Sequence, residues 1–194
     1  MYFAMKCRQP LTKGGEALMN IHNCFTPGKV WSWREGRRVQ RPATLPTPIP
    51  IDFEPLHGYD GPPVEMRDVC IPLMSIRMAE VLKRAGVDNI ELYPALLTNI
   101  ATGKTYDYHA FNVVGLVSAA DLAKSDWSTF DGSMILDVSF TRFALDESKP
   151  AGVLLFRLAE NANGLFVHES VRDHVIAAGI NTLHFMEPRR WMHI

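Results

Sequence analysis

The chain has 194 residues, of which 47% are hydrophobic and 21% charged, so a sizeable core is expected and a disordered chain is excluded. Its 20 basic and 21 acidic residues give a net charge of −1, which argues against a general nucleic-acid binder because such a protein needs a cationic surface. No run of about 18 apolar residues and no signal-peptide pattern occur, so we expect a cytoplasmic protein with no membrane partner.

The N-terminal part, residues 1–63, is predicted to form strands and an extended arm packed on a main domain of residues 64–194. Residues 2–7 have the composition of a short strand. Trp31 and Trp33 occupy alternate positions, which would place both rings on one side of a second strand. Seven prolines lie within residues 41–63; they predict the arm, because proline lacks a backbone donor and biases the preceding residue towards extended geometry.

Two segments of the main domain echo each other. Residues 75–94 and 170–188 each contain a serine, a short amphipathic stretch, an Ala-Gly pair and a strand that ends near a proline. The serines, Ser75 and Ser170, are predicted to cap helices at 71–85 and 169–178, and the Ala-Gly pairs to end them. This similarity between the two segments favours two helices that pack on the same kind of sheet. A structural duplication remains an alternative interpretation.

The remaining segments of the main domain are predicted to be strands. Alternating residues place them at 89–98, 105–114, 133–143, 153–158, 165–167 and 182–186, and the first two form a hairpin around Gly103. The closing run E-P-R-R-W-M-H-I is interpreted as a surface segment. The fold class is therefore α+β: a mixed, mainly antiparallel sheet with two short packed helices and the proline-rich N-terminal arm.

No pattern indicates a catalytic, cofactor-binding or metal-binding residue. The seven histidines form neither H-x-x-x-H nor H-E-x-x-H, and no G-x-S-x-G nucleophile turn or phosphate loop is present. The three cysteines contain no C-x-x-C pair, which favours reduced thiols. We therefore expect a protein that is not an enzyme and needs no cofactor.

Two clusters of residues leave alternatives open. Trp31 and Trp33, with the arginines that follow at 34, 37 and 38, would suit stacking on single-stranded nucleic acid, a protein contact, or simply a packed strand with a basic end. The carboxylates Asp121, Asp126, Asp131 and Asp137 lie near Trp127 and would suit an acid pair, although turns and helix caps explain them more simply.

Five short pieces occur in a fixed order: Y-H-A-F-N-V-V from Tyr108, S-A-A-D-L-A-K-S from Ser118, F-R-L from Phe156, L-F-V-H-E-S from Leu165 and A-G-I-N-T-L-H-F from Ala178. The ordered set resembles the Imm11-type family, also called DUF1629, of bacterial polymorphic toxin systems. The resemblance implies a non-enzymatic immunity protein that binds and neutralises a cognate toxin. It does not fix the toxin or the oligomeric state.

The resemblance and the clusters above together give the candidate partner-binding residues: Trp31, Trp33, Arg34, Tyr108, Asp121, Trp127 and Arg157. Most of those that match the family pattern are expected to be structural. Arg157 differs, because an arginine among core residues needs a carboxylate partner or a ligand. The alternative function is therefore a small-molecule or nucleotide-processing enzyme with a polar pocket that joins Arg157 to the Asp121–Asp137 carboxylates.

Overall fold

The computed structural model describes residues 1–7, 19–22, 31–40, 44–55, 62–68, 71–134 and 138–192. The strands in chain order are β1 (Tyr2–Cys7), β2 (Met19–His22), β3 (Ile49–Pro55), β4 (Met66–Arg67), β5 (Leu73–Ser75), β6 (Ile90–Asn99), β7 (Thr105–Val113), β8 (Leu116–Val117), β9 (Asp126–Thr129), β10 (Val138–Arg142), β11 (Leu155–Leu158), β12 (Leu165–His168) and β13 (Leu183–Met186). The helices are α1 (Ile76–Arg84) and α2 (Glu169–Ala177).

The strands form two large mixed sheets and a separate hairpin, which confirms the α+β class. One sheet has the order β13-β1-β12-β11-β8, the other β2-β3-β6-β7-β5-β4, and β9 pairs with β10 alone. Most pairs are antiparallel, whereas β3 with β6 and β11 with β8 are parallel. Neither helix is long and apolar enough to cross a membrane, within the residues described.

The first strand lies inside the five-stranded sheet. β1 has the bounds expected from the sequence, and it pairs antiparallel with β12 on one side and β13 on the other. Phe3 and Met5 face the core shared with the helices, while Tyr2 and Ala4 face a separate aromatic core. Because successive strand residues point to opposite faces, a six-residue strand is buried on both sides.

The proline-rich segment contains a sheet strand where an extended arm was expected. β3 pairs with β6 along Ile49–Phe53 and with β2 along Asp52–Pro55. Its buried residues Ile49, Ile51 and Phe53 alternate with more exposed ones. This alternation is typical of a strand with one buried face, and the strand forms despite its prolines. Residues 41–43 and 56–61 of the expected arm lie outside the described residues.

The start of each helix departs from the sequence expectation. Ser75 caps α1 as predicted, since its hydroxyl accepts a hydrogen bond from the Met78 backbone N–H at 3.0 Å. The helix begins only there, because Leu73–Ser75 pairs with β7 as a strand. The cap of α2 is His168, whose Nδ1 accepts from the Ser170 N–H at 3.3 Å, so the predicted serine cap is wrong.

Both helices end in the same way, at the Ala-Gly pairs. Gly86 and Gly179 have φ of +87° and +71°, which only glycine adopts without strain. The N–H of Val87 bonds to the Leu82 carbonyl, and that of Ile180 to the Val175 carbonyl, so each helix closes with a hydrogen bond spanning five residues. All four apolar side chains belong to the core that the helices share.

Trp191, close to the end of the described residues, is part of the core. Trp191 is 1% exposed and its ring contacts Phe140, Phe143 and Phe166 at centroid distances of 4.9 to 6.0 Å. The expectation of a surface tail is therefore wrong at this position. A 3-10 helix over Pro188–Arg190 turns the chain back after β13 and places the indole in this aromatic core.

We expect Trp191→Ala to lower the free energy of unfolding by about 3–5 kcal/mol, because it removes a large buried ring and leaves a cavity. The adjacent Met192 is 55% exposed, so Met192→Ala serves as the matched control, with a change within about 0.5 kcal/mol. Urea unfolding monitored by circular dichroism measures both variants. Equal stability of Trp191→Ala and wild type would contradict the assigned packing.

Candidate functional site

The structure separates the candidate residues into three places. Arg34 and Arg157 meet at one carboxylate, that of Asp68. Trp33 and Tyr108 are buried in the core on the outer face of the six-stranded sheet. Asp121 and Trp127 lie near the β9–β10 hairpin. Trp31 begins a 3-10 helix, and its side chain is outside the described set.

Arg157 is fully buried on β11 and bonded to Asp68. Its two terminal nitrogens donate to the two carboxylate oxygens at 2.8 Å each, and one of them also donates to the Ala162 carbonyl at 2.9 Å. This is the fork-to-fork geometry in which guanidinium and carboxylate bind most strongly. The need for a carboxylate partner was visible in the sequence, but its identity was not, because Asp68 lies 89 positions away.

Arg34 approaches the same carboxylate from a third part of the chain. One terminal nitrogen lies 3.6 Å from an Asp68 oxygen and also donates to the Asp68 backbone carbonyl. The other donates to the Asn163 side-chain oxygen at 2.7 Å. The 3-10 helix, the segment after β4 and the turn after β11 therefore converge on Asp68.

The described carboxylates proposed to join Arg157 in an enzyme site bind other groups. Asp121 binds Lys124 at 2.7 Å, Asp126 binds Arg142 at 2.8 and 2.9 Å, and Asp131 accepts from the Ser133 N–H. Asp137 lies outside the described residues. The expected polar pocket around Arg157 is therefore wrong in its residues, since its guanidinium contacts Asp68 and Ala162 instead. Within the described residues, no histidines, cysteines or acids gather in threes to hold a metal ion.

The tryptophan pair does not lie on a strand, so this part of the prediction is wrong. Trp31–Arg34 is a 3-10 helix. Trp33 is buried, with its ring edge-on to Tyr93 at 5.6 Å. Tyr108 is also buried, and its hydroxyl lies within hydrogen-bond distance of the Pro63 and Val64 carbonyls.

A second, partly buried polar group, which sequence reasoning did not single out, centres on Glu91. One of its oxygens accepts from the Val39 backbone N–H and from Asn112, both at 3.0 Å, and the other accepts from Arg38 at 3.1 Å. Burial alone would raise the pKa of Glu91, but these hydrogen bonds, with one from Tyr93, lower it below its ordinary value of 4.5. They tie residues 37–39 to the six-stranded sheet.

The β9–β10 hairpin displays apolar side chains to solvent. Trp127 is 43% exposed, Phe130 97% and Met134 38%, and we call these three residues the hairpin surface. Trp127 lies opposite Phe140 in the strand register, and Phe140 is buried against Phe143 and Trp191. The hairpin is thus fixed to the aromatic core through β10, while Phe130, just after β9, is exposed to solvent.

The Glu91 network predicts a pH dependence of stability. Because the folded pKa lies below the unfolded one, the carboxylate stabilises the fold above pH 4.5, and this stabilisation is lost as the pH falls through the folded value. We expect Glu91→Gln to be less stable than wild type at pH 7 and to lose less further stability below pH 4.5. Thermal unfolding from pH 3 to 7 measures this, with Glu80→Gln on the exposed face of α1 as control. If the stability of Glu91→Gln and that of wild type fall by the same amount as the pH is lowered below 4.5, the network does not have this role.

The comparison with protein families agrees with the sequence motifs. No curated protein matches the chain. The model of the immunity protein family Imm11 matches residues 2–189, which includes the N-terminal strands where no motif was noted. The chain therefore belongs to the Imm11 immunity protein family.

Proposed function

We propose that this protein neutralises a cognate toxin of a bacterial polymorphic toxin system by binding it directly, without catalysing a reaction. Membership of an immunity protein family supports the role. The observation that supports direct binding is the hairpin surface, where Trp127, Phe130 and Met134 are exposed on an element fixed to the core.

Side chains of these types suit a protein contact. Aromatic residues and methionine are enriched at interfaces. An aromatic ring offers a large apolar area with few rotatable bonds, and a methionine side chain adapts its shape to the partner. A partner that covered Trp127 and Phe130 would remove two large apolar side chains from water. Anchors of this kind dominate binding energies, while the surrounding polar contacts mainly exclude water.

Charged pairs lie beside the hairpin surface and would form its polar rim. Asp126 and Arg142 bind each other across the two strands, and Asp121 binds Lys124 just before β9. All four side chains retain exposure, so a partner can contact them without burying an unpaired charge. Of the candidate residues, we therefore assign Trp127 and Asp121 to partner contact.

The buried candidates act on the fold that holds this surface. Trp33, Tyr108 and Arg157 are each less than a tenth exposed, so no partner can reach them without unfolding part of the chain. Because β10 packs on the aromatic core, the hairpin is held in place before binding. Such pre-organisation lowers the entropic cost of forming a complex.

The proposal predicts that a neighbouring gene encodes the toxin, and co-expression of the two proteins tests it. We expect wild type to restore growth and to form a complex with the purified toxin. The double variant Trp127→Ala/Phe130→Ala should bind at least ten-fold more weakly by calorimetry, because it removes both aromatic anchors.

The matched control is Ile100→Ala/Ile176→Ala, which removes two similarly exposed apolar side chains on other elements. We expect it to bind like wild type. Circular dichroism shows whether each variant is folded. Wild-type affinity of the hairpin double variant would exclude this surface, and no association between the wild-type proteins would exclude direct binding altogether.

A further inference from the structure

The backbone of Val138, at the start of β10, bonds to the connection between β11 and β12. Its N–H donates to the Glu160 carbonyl at 2.9 Å, and its carbonyl accepts from the Asn161 side-chain nitrogen at 2.7 Å. Val138 lies directly opposite Thr129 in the register of the β9–β10 hairpin. Because both backbone groups of Val138 are bonded on the side away from β9, Val138 and Thr129 form a non-hydrogen-bonded pair of the antiparallel ladder.

This pair fixes the direction of the backbone groups along β9. In a non-hydrogen-bonded pair each residue points its N–H and its C=O away from the other strand, and such pairs alternate with hydrogen-bonded ones. Thr129 therefore points both groups to the outer edge of β9. The register does not shift between Thr129 and Trp127, so Ser128 bonds to β10 and Trp127 points outward again. The outer edge of β9 thus presents an N–H and a C=O at each of two alternate residues.

The outer edge of β9 has no partner in the part of the chain that the structure describes. There β9 pairs with β10 alone, and neither Trp127 nor Thr129 has a backbone hydrogen bond to another segment. Edge strands are usually protected from pairing with a second chain by charged side chains, proline or a covering segment. β9 contains no proline, and its one charged residue, Asp126, is paired with Arg142 at 2.8 Å. Three of its four side chains are exposed, so a second chain can approach the edge.

The two faces of β9 differ in polarity. Trp127 lies on the face of the hairpin that bears Phe140 and Val138, which are both buried in the aromatic core. Ser128 lies on the other face, opposite Ser139. A strand added beside β9 would match these faces with apolar side chains next to Trp127 and polar ones next to Ser128.

We propose that the cognate toxin adds an extended segment to the outer edge of β9 and pairs with the backbone of Trp127 and Thr129. This contact rests on the proposed function, and it specifies the form of the toxin segment that binds the hairpin. Outward N–H and C=O groups at alternate residues match the spacing of a strand, whereas a helix uses its own backbone groups internally. The segment alternates apolar and polar side chains, and strand addition of this kind derives its affinity from main-chain hydrogen bonds.

The first arm of the test compares two substitutions of Thr129. Thr129→Pro removes the outward N–H, whereas Thr129→Ala removes most of the side chain and keeps the N–H. Because this N–H makes no bond within the hairpin, proline is tolerated there, as at other solvent-facing edge positions. We expect Thr129→Pro to bind the purified toxin of the neighbouring gene about ten-fold more weakly than Thr129→Ala by calorimetry, since a toxin carbonyl is left unpaired. Equal affinity of the two folded variants would overturn the proposal.

The second arm measures amide hydrogen exchange of wild type, alone and bound to the toxin. We expect the amides of Trp127 and Thr129 to exchange at least ten-fold more slowly in the complex, while Ser128, whose amide already bonds to β10, changes less. This arm stays readable if Thr129→Pro does not fold. A complex with unchanged exchange at both amides overturns strand addition and leaves direct binding standing. No complex at all refutes direct binding, and strand addition with it.

A second copy of this chain is the competing occupant of the edge. Sedimentation velocity of wild type and Thr129→Pro, without toxin, distinguishes it. We expect both proteins to sediment as the same species. A wild-type dimer that Thr129→Pro dissociates would assign the edge to self-association and overturn the proposal.

Discussion

The ion pair between Arg157 and Asp68 is the constraint on which the arrangement of the two sheets depends. Arg157 belongs to β11 of one sheet, and Asp68 follows β4 of the other. A fully buried guanidinium without its carboxylate is a strongly destabilised species, so removal of one partner typically costs about 3–5 kcal/mol. The pair therefore fixes the distance and orientation of the sheets at one point, and Arg34 adds the N-terminal 3-10 helix to the same point.

The two helices lie on the inner side of this junction and connect the sheets a second time. α1 follows β5 of the six-stranded sheet, and α2 follows β12 of the five-stranded one, yet their buried faces belong to a single core. Arg77 at the start of α1 donates to the Ala178 carbonyl at the end of α2, where the helix dipole favours a cation. The repeated helix-to-strand unit thus occurs once in each sheet, and the two copies pack against each other.

Several features determined by neighbouring residues could be predicted from the sequence, although the His168 cap of α2 was not. The Ser75 cap, the glycine ends of both helices, β1 and the β6–β7 hairpin depend on a few consecutive residues, and the structure has all of them. Features that depend on distant partners could not be predicted. Asp68 as the partner of Arg157, the burial of Trp191 and the pairing of β3 with β6 join segments that are far apart in the chain. In β3 the proline content was misleading, because alternation of Ile49, Ile51 and Phe53 favours a strand more strongly.

The interior position of β1 has a consequence for how the protein is made. Residues 2–7 are synthesised long before the strands that flank them, since β12 and β13 end at residues 168 and 186. The five-stranded sheet therefore cannot close until residue 186 has left the ribosomal exit tunnel, and pairing over such a separation is slow. A nascent chain of this topology therefore carries an unmatched apolar strand, β1, until β12 and β13 have been synthesised.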